Sequence, residues 1–180
     1  MLGRAIASYL FVGLCLVVSV TPAATAALLF SDDFESGSLD KWTVVTGSWI
    51  VEEEDGNHCA RTDGGPFRIM NIAGRTFDDV TMTARIWHVS RDHGANIYAR
   101  NDRATSQDVF HSGYWFGISG ALDAAGWGMF RRGGQTVEEV LVASAPLDTW
   151  VTVEVTMAGR SATMTAALED GGVLGEASFD

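Results

Sequence analysis

Aromatic, arginine and asparagine residues alternate along two successive stretches in the middle of the sequence. The stretch DVTMTARIWHV carries Arg85 and Trp87 two positions apart, and ANIYARN carries Asn96, Tyr98 and Arg100 with the same spacing. On a β-strand, side chains two positions apart lie on the same face. If the two strands are neighbours, we expect the five side chains to form one surface patch.

The chemistry of this patch favours binding of a carbohydrate. Aromatic rings stack on the apolar CH faces of sugar rings, while the planar groups of Arg and Asn exchange hydrogen bonds with hydroxyls. We expect Tyr114 or Trp115, and Arg131 or Arg132, beside the patch, and we assign Trp115 and Arg131 to it. An arginine-rich face also suits carboxylated or sulfated saccharides through bidentate pairing. The alternative is that the aromatic rings fill space under a loop and the arginines pair with nearby aspartates.

Hydrolysis by two carboxylates is the competing chemistry. Retaining glycosidases need carboxyl groups about 5–5.5 Å apart, and inverting ones about 6.5–9.5 Å apart. Glu52 and Glu54 alternate onto one face, about 7 Å apart along a strand. They stand where a strand runs into EDGN, a position in which acidic clusters are normally solvated. Glu138 and Glu139 point to opposite faces and Glu154 is a weak candidate, so we assign no catalytic residue.

The elements that must position these residues are short strands with alternating apolar and polar side chains. In DVTMTARIWHV the apolar face is Val80, Met82, Ala84 and Ile86. TWVTVEVTM and SATMTAALED alternate in the same way, and glycine, asparagine and aspartate punctuate the chain between such runs. About ten strands at this spacing predict an all-β fold, a two-sheet antiparallel β-sandwich of the jelly-roll type.

The first 27 residues have the composition of a secretory signal peptide. One basic residue, Arg4, precedes the apolar run ASYLFVGLCLVVSV, and the small residues AATAA follow. This order is typical of a signal peptide, and the apolar run is short for the ~20 residues of a membrane span. We expect cleavage after Ala26 or Ala27, which removes residues 1–27 and leaves residues 28–180 as one domain. The protein is then secreted, periplasmic or on the cell surface, without stable membrane insertion.

Charge and cysteine content narrow the possible partners and the sources of stability. The net charge of −11 makes nucleic acid an unfavourable partner, although nine arginines lie between residues 61 and 135. After removal of the signal peptide Cys59 is the single cysteine, so we expect a buried free thiol rather than an internal disulfide. The four histidines lack the spacing of a metal site.

The order of these features resembles the concanavalin A-like lectin/glucanase superfamily, and within it the secreted bacterial domains of the laminin-G-like and laminarinase-like groups. The resemblance rests on DDFESGSLDKWTVVTGSWIVEEEDG, FDDVTMTARIWHV, ANIYARND and LDTWVTVEVTMAGRSATMTAALEDG, and it covers about residues 29–180. It implies a jelly-roll sandwich. The paired glutamates of laminarinase-type hydrolases, in an E-x-D-x-x-E arrangement, do not occur in this sequence. The chain stops at GEASFD, where such domains continue, so we expect the final strand to be lacking.

The resemblance also implies a structural calcium ion near the first strand of the domain. Asp32 or Asp33 would supply one carboxylate and Asp180 another, because hard cations prefer several oxygen ligands. The alternative is a solvated turn in which the aspartates accept hydrogen bonds from backbone amides.

These features together predict a secreted, non-catalytic, lectin-like module that binds a polysaccharide or an oligosaccharide, which can be anionic. One alternative is a glycoside hydrolase of the same superfamily. The other is a structural adhesion module whose aromatic residues belong only to the core.

Overall fold

The computed structural model describes residues 16–20, 27–62, 68–88, 94–100, 111–119, 124–141 and 147–180. These residues contain fourteen strands and no helix, hence none long and apolar enough to cross a membrane. The strands are β1 (Leu16–Val20), β2 (Ala27–Asp32), β3 (Trp42–Thr46), β4 (Trp49–Glu54), β5 (Asn57–Thr62), β6 (Ile69–Ile72), β7 (Val80–His88), β8 (Ala95–Ala99), β9 (Gly113–Ser119), β10 (Ala124–Arg132), β11 (Gln135–Leu141), β12 (Thr149–Ala158), β13 (Ser161–Leu168) and β14 (Val173–Phe179).

Six strands form the larger sheet, in the order β14-β13-β12-β7-β1-β2, and every neighbouring pair is antiparallel. Its centre is the β7–β12 pair, whose ladder runs without a break from Thr149 opposite His88 to Met157 opposite Val80. The alternation predicted for these strands is confirmed by burial. Their inner faces carry the buried residues Val80, Met82, Ala84, Ile86, Val151, Val153, Val155 and Met157.

Four antiparallel strands form the smaller sheet, in the order β11-β10-β9-β8, and two further pairs are β3–β6 and β4–β5. One hydrophobic cluster joins the inner faces of the two larger sheets. Ile97 and Phe116 of the smaller sheet belong to the same cluster as Ile86 and Val153 of the larger sheet. Each such side chain contributes about 1.5–3 kcal/mol by leaving water. The predicted all-β antiparallel sandwich is therefore confirmed.

A buried carboxylate holds the turn between β2 and β3, in the segment SDDFESGSLDKW. Asp32 is 3% exposed, and it accepts hydrogen bonds from Trp42 Nε1 at 2.7 Å and from Lys41 Nζ at 3.1 Å. The backbone N–H of Phe34 donates a third bond at 3.3 Å. Phe34 has a positive φ of 60°, which is uncommon for a bulky residue. Stacking of its buried ring on Trp42, with centroids 5.9 Å apart, holds this conformation in place.

Leu16–Val20 forms strand β1, although the sequence predicts that it belongs to a signal peptide. β1 lies between β2 and β7 and runs antiparallel to both. Its composition, LVVSV, favours extended backbone because valine is a β-branched residue. Residues 1–15 and 21–26 lie outside the described ranges, so cleavage of the first 27 residues stays a prediction.

Candidate functional site

The two stretches that carry the predicted binding residues lie in different sheets. β7, with Arg85 and Trp87, sits between β1 and β12 in the larger sheet, whereas β8, with Asn96 and Tyr98, is an edge of the smaller sheet. Alternate residues of both strands belong to the shared core, so the two sets face away from it on opposite sides of the sandwich. The expectation of one continuous patch is thus corrected, because the chain crosses from one sheet to the other between β7 and β8.

The outer face of the smaller sheet, defined by Asn96, Tyr98 and Trp115 and called here the four-strand face, keeps three of the predicted residues together. Tyr98 and Trp115 are register partners on β8 and β9, and their rings meet edge to face with centroids 5.9 Å apart. Trp115 is fully buried yet lies outside the main hydrophobic cluster. The four-strand face therefore has its own aromatic pair, separate from the core.

Asn96 lies beside this aromatic pair, and its carboxamide oxygen is the notable polar atom of the four-strand face. Oδ1 is buried, and nothing in the described part of the chain donates a hydrogen bond to it. Asn96 is opposite Gly117 on β9, where an added Cβ would stand 2.2 Å from the carbonyl oxygen of Ala95. A glycine is required for this close approach of β8 and β9. A buried acceptor left without a donor costs about 1–3 kcal/mol, which a ligand hydroxyl would offset.

The Tyr98 hydroxyl keeps its proton over the whole physiological range. Burial raises the pKa of Tyr98 to about 12, because ionisation would place a charge in a poorly solvated site. The hydroxyl can therefore donate as well as accept a hydrogen bond. Together with the acceptor oxygen of Asn96, it offers the polar complement that a sugar hydroxyl needs.

The outer face of the larger sheet, defined by Arg85, Trp87, Trp150 and Glu169 and called here the six-strand face, is organised differently. The Arg85 guanidinium lies 4.7 Å from the centroid of the Trp150 ring and forms an ion pair with Glu169. Trp87 meets Trp150 edge to face, with centroids 5.2 Å apart. Arg85 therefore has both a π-face and a carboxylate within the protein. The alternative interpretation of the sequence expected pairing with nearby aspartates, and the observed partner is a glutamate 84 positions further along the chain.

Trp150 is the residue of this face that the sequence interpretation missed. It is 4% exposed, and its Nε1 has no hydrogen-bond acceptor among the described residues. The sequence signal was the alternation of Trp150 with Thr152, Glu154 and Thr156, which places it on the same face as these residues. Only the pairing of β7 with β12 brings Trp87 and Trp150 together.

The two remaining predicted arginines have separate positions. Arg100 follows β8, and its guanidinium donates to Asp79 Oδ1 at 3.1 Å and to the carbonyl oxygen of Gly159. It therefore ties the end of β8 to the β12–β13 turn instead of joining the four-strand face. The backbone of Arg131 pairs with Gly113 on β9, while its side chain lies outside the described part of the structure.

The three carboxylates expected to bind calcium are not brought together. Asp32 ends β2 and Asp180 follows β14, and these strands are the opposite edges of the larger sheet, about 24 Å apart at ~4.8 Å per strand. Asp180 accepts a bond from Ser161 Oγ at 3.1 Å, and Asp33 accepts one from the Glu35 backbone at 3.2 Å. The described residues contain no group of three His, Cys, Asp or Glu side chains arranged for a metal ion.

The glutamates considered for hydrolysis lie on the β4–β5 pair. Glu52 forms an ion pair with Arg61 and is opposite Cys59 in the ladder. Burial, with smaller contributions from the Glu54 and Glu52 charges, raises the pKa of Cys59 to about 11. Cys59 is thus a buried free thiol, as expected. Glu52 is therefore engaged by Arg61.

A hydrogen-bonded contact that the sequence interpretation did not anticipate joins the first turn to β5. His58 Nδ1 lies 2.8 Å from Glu35 Oε2, and the His58 backbone N–H donates to Oε1 at 3.3 Å. These two bonds from His58 lower the pKa of Glu35 below its ordinary value. The contact is exposed and contributes to local order rather than to a site.

Comparison with known proteins gives a fold relationship. The chain is similar to the solved structure of the carbohydrate binding module CBM66 from Bacillus subtilis, with a TM-score of 0.52 and 15% sequence identity. The match covers 78% of this chain and 80% of that one. No protein-family model matches the sequence, and no curated protein matches it either. At this identity the similarity establishes a shared β-sandwich fold.

Proposed function

We propose that the protein is a non-catalytic module that binds a saccharide on its four-strand face. The observation that carries the proposal is the buried Asn96 Oδ1, which lacks a donor among the described residues, beside the Tyr98–Trp115 ring pair. A sugar hydroxyl satisfies such an oxygen, and the adjoining CH groups are complementary to the half-buried ring of Tyr98, behind which Trp115 is fully buried. The shared fold with a protein described as a carbohydrate binding module supports this proposal.

The four-strand face is preferred because Arg85, the charged group that the sequence assigned to the six-strand face, already has a partner; Trp150 Nε1 is the polar atom of that face without an acceptor among the described residues. Arg85 is paired with Glu169. Thr81 and Thr156 share a hydrogen bond of 3.0 Å in the same sheet. A ligand on that side would have to displace contacts that the protein makes with itself, whereas Asn96 gains a bond that it lacks.

The proposal includes three further points that rest on the sequence. Export follows from the predicted signal peptide of residues 1–27, and the closer relationship to concanavalin A-like domains follows from the resemblance. A preference for anionic saccharides depends on Arg131, whose backbone is opposite Gly113 on β9. We do not extend the proposal to calcium at Asp32, Asp33 and Asp180, given their separation.

Binding to an array of neutral, carboxylated and sulfated glycans tests this function. Each glycan that is bound is then incubated with the protein, and the products are analysed. We expect retention of at least one glycan class and no release of shorter sugars over time. Retention of the anionic glycans alone would support the role of Arg131. Absence of retention across the array would contradict saccharide binding, and sustained release of sugar would contradict the non-catalytic assignment.

A further inference from the structure

One strand of the larger sheet, β1, lies outside the predicted domain of residues 28–180. β1 pairs with β2 on one side and with β7 on the other, antiparallel to each. β2 and β7 are therefore parallel to one another and two strand spacings apart, about 9–10 Å. They cannot hydrogen-bond directly at that distance, so a strand must stand between them for the sheet to be continuous.

The position between β2 and β7 lies directly over the hydrophobic core. Val18 of β1 is the register partner of Phe30 on β2 and of Met82 on β7. Phe30 and Met82 are each 7% exposed and belong to the main hydrophobic cluster. Without the intervening strand, both would face an opening in the sheet as well as two rows of unsatisfied backbone groups.

The outer edge of β2 is protected, in contrast to the edge that faces β1. Arg75 donates a hydrogen bond to the carbonyl oxygen of Leu29, and Lys41 Nζ donates to the carbonyl oxygen of Ser31 at 3.0 Å. Lys41 and Arg75 reach this edge from other parts of the chain, and covering an edge in this way blocks further pairing. The sequence thus supplies side-chain partners for one edge of β2 and depends on a strand for the other.

The strand that fills the position in this chain belongs to the segment predicted to be cleaved. Cleavage after Ala26 removes Leu16–Val20 and leaves β2 and β7 whole, and cleavage after Ala27 removes in addition only the first residue of β2. The exported domain would then expose the inner edges of two parallel strands. That arrangement is a receptor for an extended peptide, since main-chain hydrogen bonds on both sides supply affinity.

We propose that the exported protein binds an extended, apolar, β-branched segment of a partner polypeptide in the position between β2 and β7. The segment runs antiparallel to both strands and is at least five residues long, as β1 is, and it can extend along the nine residues of β7. A partner is the proposed donor rather than a strand from the described part of a second copy. Each described strand other than β1 is already paired within its own sheet, and cleavage removes β1 from every copy.

Disulfide trapping at the register pair Ser19–Thr81 tests the proposal. The exported protein, recovered from an exporting host and checked for cleavage by mass spectrometry, carries Thr81→Cys. It is mixed, in a thiol–disulfide exchange buffer, with a synthetic peptide of residues 16–20 that carries Ser19→Cys. The matched control is Thr156→Cys on β12, because Thr156 lies 3.0 Å from Thr81 on the same face but one strand further from the opening.

We expect the mixed disulfide to form at least ten times faster with Thr81→Cys than with Thr156→Cys. The uncleaved precursor with Thr81→Cys should react at least ten times more slowly than the cleaved form, because its own β1 fills the position. If the cleaved protein shows no β-sheet signal in circular dichroism, we expect addition of the peptide to restore that signal.

Equal rates at the two cysteines, or no mixed disulfide at Thr81→Cys, would overturn the proposal. So would an exported protein that retains residues 16–20, or a cleaved protein that the peptide fails to fold. A cleaved protein that forms a dimer and excludes the peptide would also overturn it, in favour of a second copy as the occupant.

Discussion

The two outer faces of the sandwich each contain a tryptophan that is buried away from the main hydrophobic cluster, yet they use it in opposite ways. On the six-strand face, Trp150 is covered by Arg85 and Trp87, and Arg85 is neutralised by Glu169. On the four-strand face, Trp115 meets Tyr98, and the neighbouring Asn96 oxygen has no donor among the described residues. The charged group of the six-strand face is paired within the protein, and its unsatisfied atom is a donor, Trp150 Nε1, whereas the four-strand face has an unsatisfied acceptor, Asn96 Oδ1.

This difference indicates that residue type alone does not identify a binding face. Arginine beside tryptophan is the pattern expected of a recognition surface, but in β7 it forms an internal contact. A buried polar atom that the fold does not satisfy is a further signal, since native proteins satisfy the great majority of such atoms, and it counts toward a binding face here together with the absence of a paired charge beside it. The following predictions test the contrast, from the largest expected effect to the smallest.

Removal of the Trp150 ring should destabilise the protein more than any other single change on the six-strand face. We expect Trp150→Ala to lower the free energy of unfolding by about 3–5 kcal/mol, because a nearly buried aromatic side chain leaves a cavity. Trp87→Ala, at a half-buried site, should cost less. Urea denaturation measures both values, and a loss below about 1 kcal/mol for Trp150→Ala would show that this face is not closed by its own contacts.

Alkaline pH should destabilise the four-strand face through Tyr98. Its pKa is about 12 in the folded protein and about 10 in the unfolded chain. Between these values the unfolded state has lost the proton and the folded state has kept it, so stability falls as pH rises from about 10 to 12. Unfolding followed at several pH values, for wild type and Tyr98→Phe, should show a shallower fall in the variant.

Equal slopes for the two proteins would contradict the burial of the Tyr98 hydroxyl. Cys59, with a pKa of about 11, contributes in the same direction in both proteins. It therefore cancels in the comparison.

The Arg85–Glu169 pair should contribute little to stability, although it neutralises the charged group of the six-strand face. Both side chains are about a third or more exposed, and solvent screening limits such pairs to about 0.2–1 kcal/mol. A double-mutant cycle with Arg85→Ala and Glu169→Ala measures the coupling energy. A value near zero would mean that Arg85 is held by Trp150 alone, which would leave it available to a ligand.

Removal of divalent metal should have no effect on either face. Three donors engage Asp32, and Asp180 lies at the opposite edge of the sheet. We therefore expect the same melting temperature with EDTA and with added calcium. A rise of several degrees with calcium would restore the metal site that the resemblance implies, with ligands other than this set of three.

The sequence was sufficient for strands such as β7, β12 and β13 and for the inward or outward direction of their side chains, although about ten strands were predicted and the described residues contain fourteen. The period of two in DVTMTARIWHV separates the buried Met82, Ala84 and Ile86 from Arg85 and Trp87, and the structure has the same division. Alternation is a local property of the backbone, so it can be interpreted without knowledge of the partner strands.

The sequence was not sufficient for the assignment of strands to sheets. Nothing in the alternation of β7 and β8 indicates that the chain crosses the core between them, so one expected patch became two faces. The same limit explains why Trp150 was missed, because its partner Trp87 lies more than sixty residues earlier in the chain. By residue type, the aspartates of the first turn suit either a metal site or hydrogen bonds to backbone amides of the turn. Only the contacts of Asp32 in the structure distinguish these two roles.

The most direct test of saccharide binding on the four-strand face is the affinity for a retained glycan, measured by isothermal titration calorimetry on two matched variants. Asn96→Ala removes the unsatisfied oxygen, and Arg85→Ala removes the charged group of the opposite face. We predict that Asn96→Ala weakens binding about tenfold, equivalent to one hydrogen bond of ~1.4 kcal/mol, while Arg85→Ala leaves the affinity unchanged. Loss of affinity in Arg85→Ala with wild-type affinity in Asn96→Ala would contradict the account and place the ligand on the six-strand face.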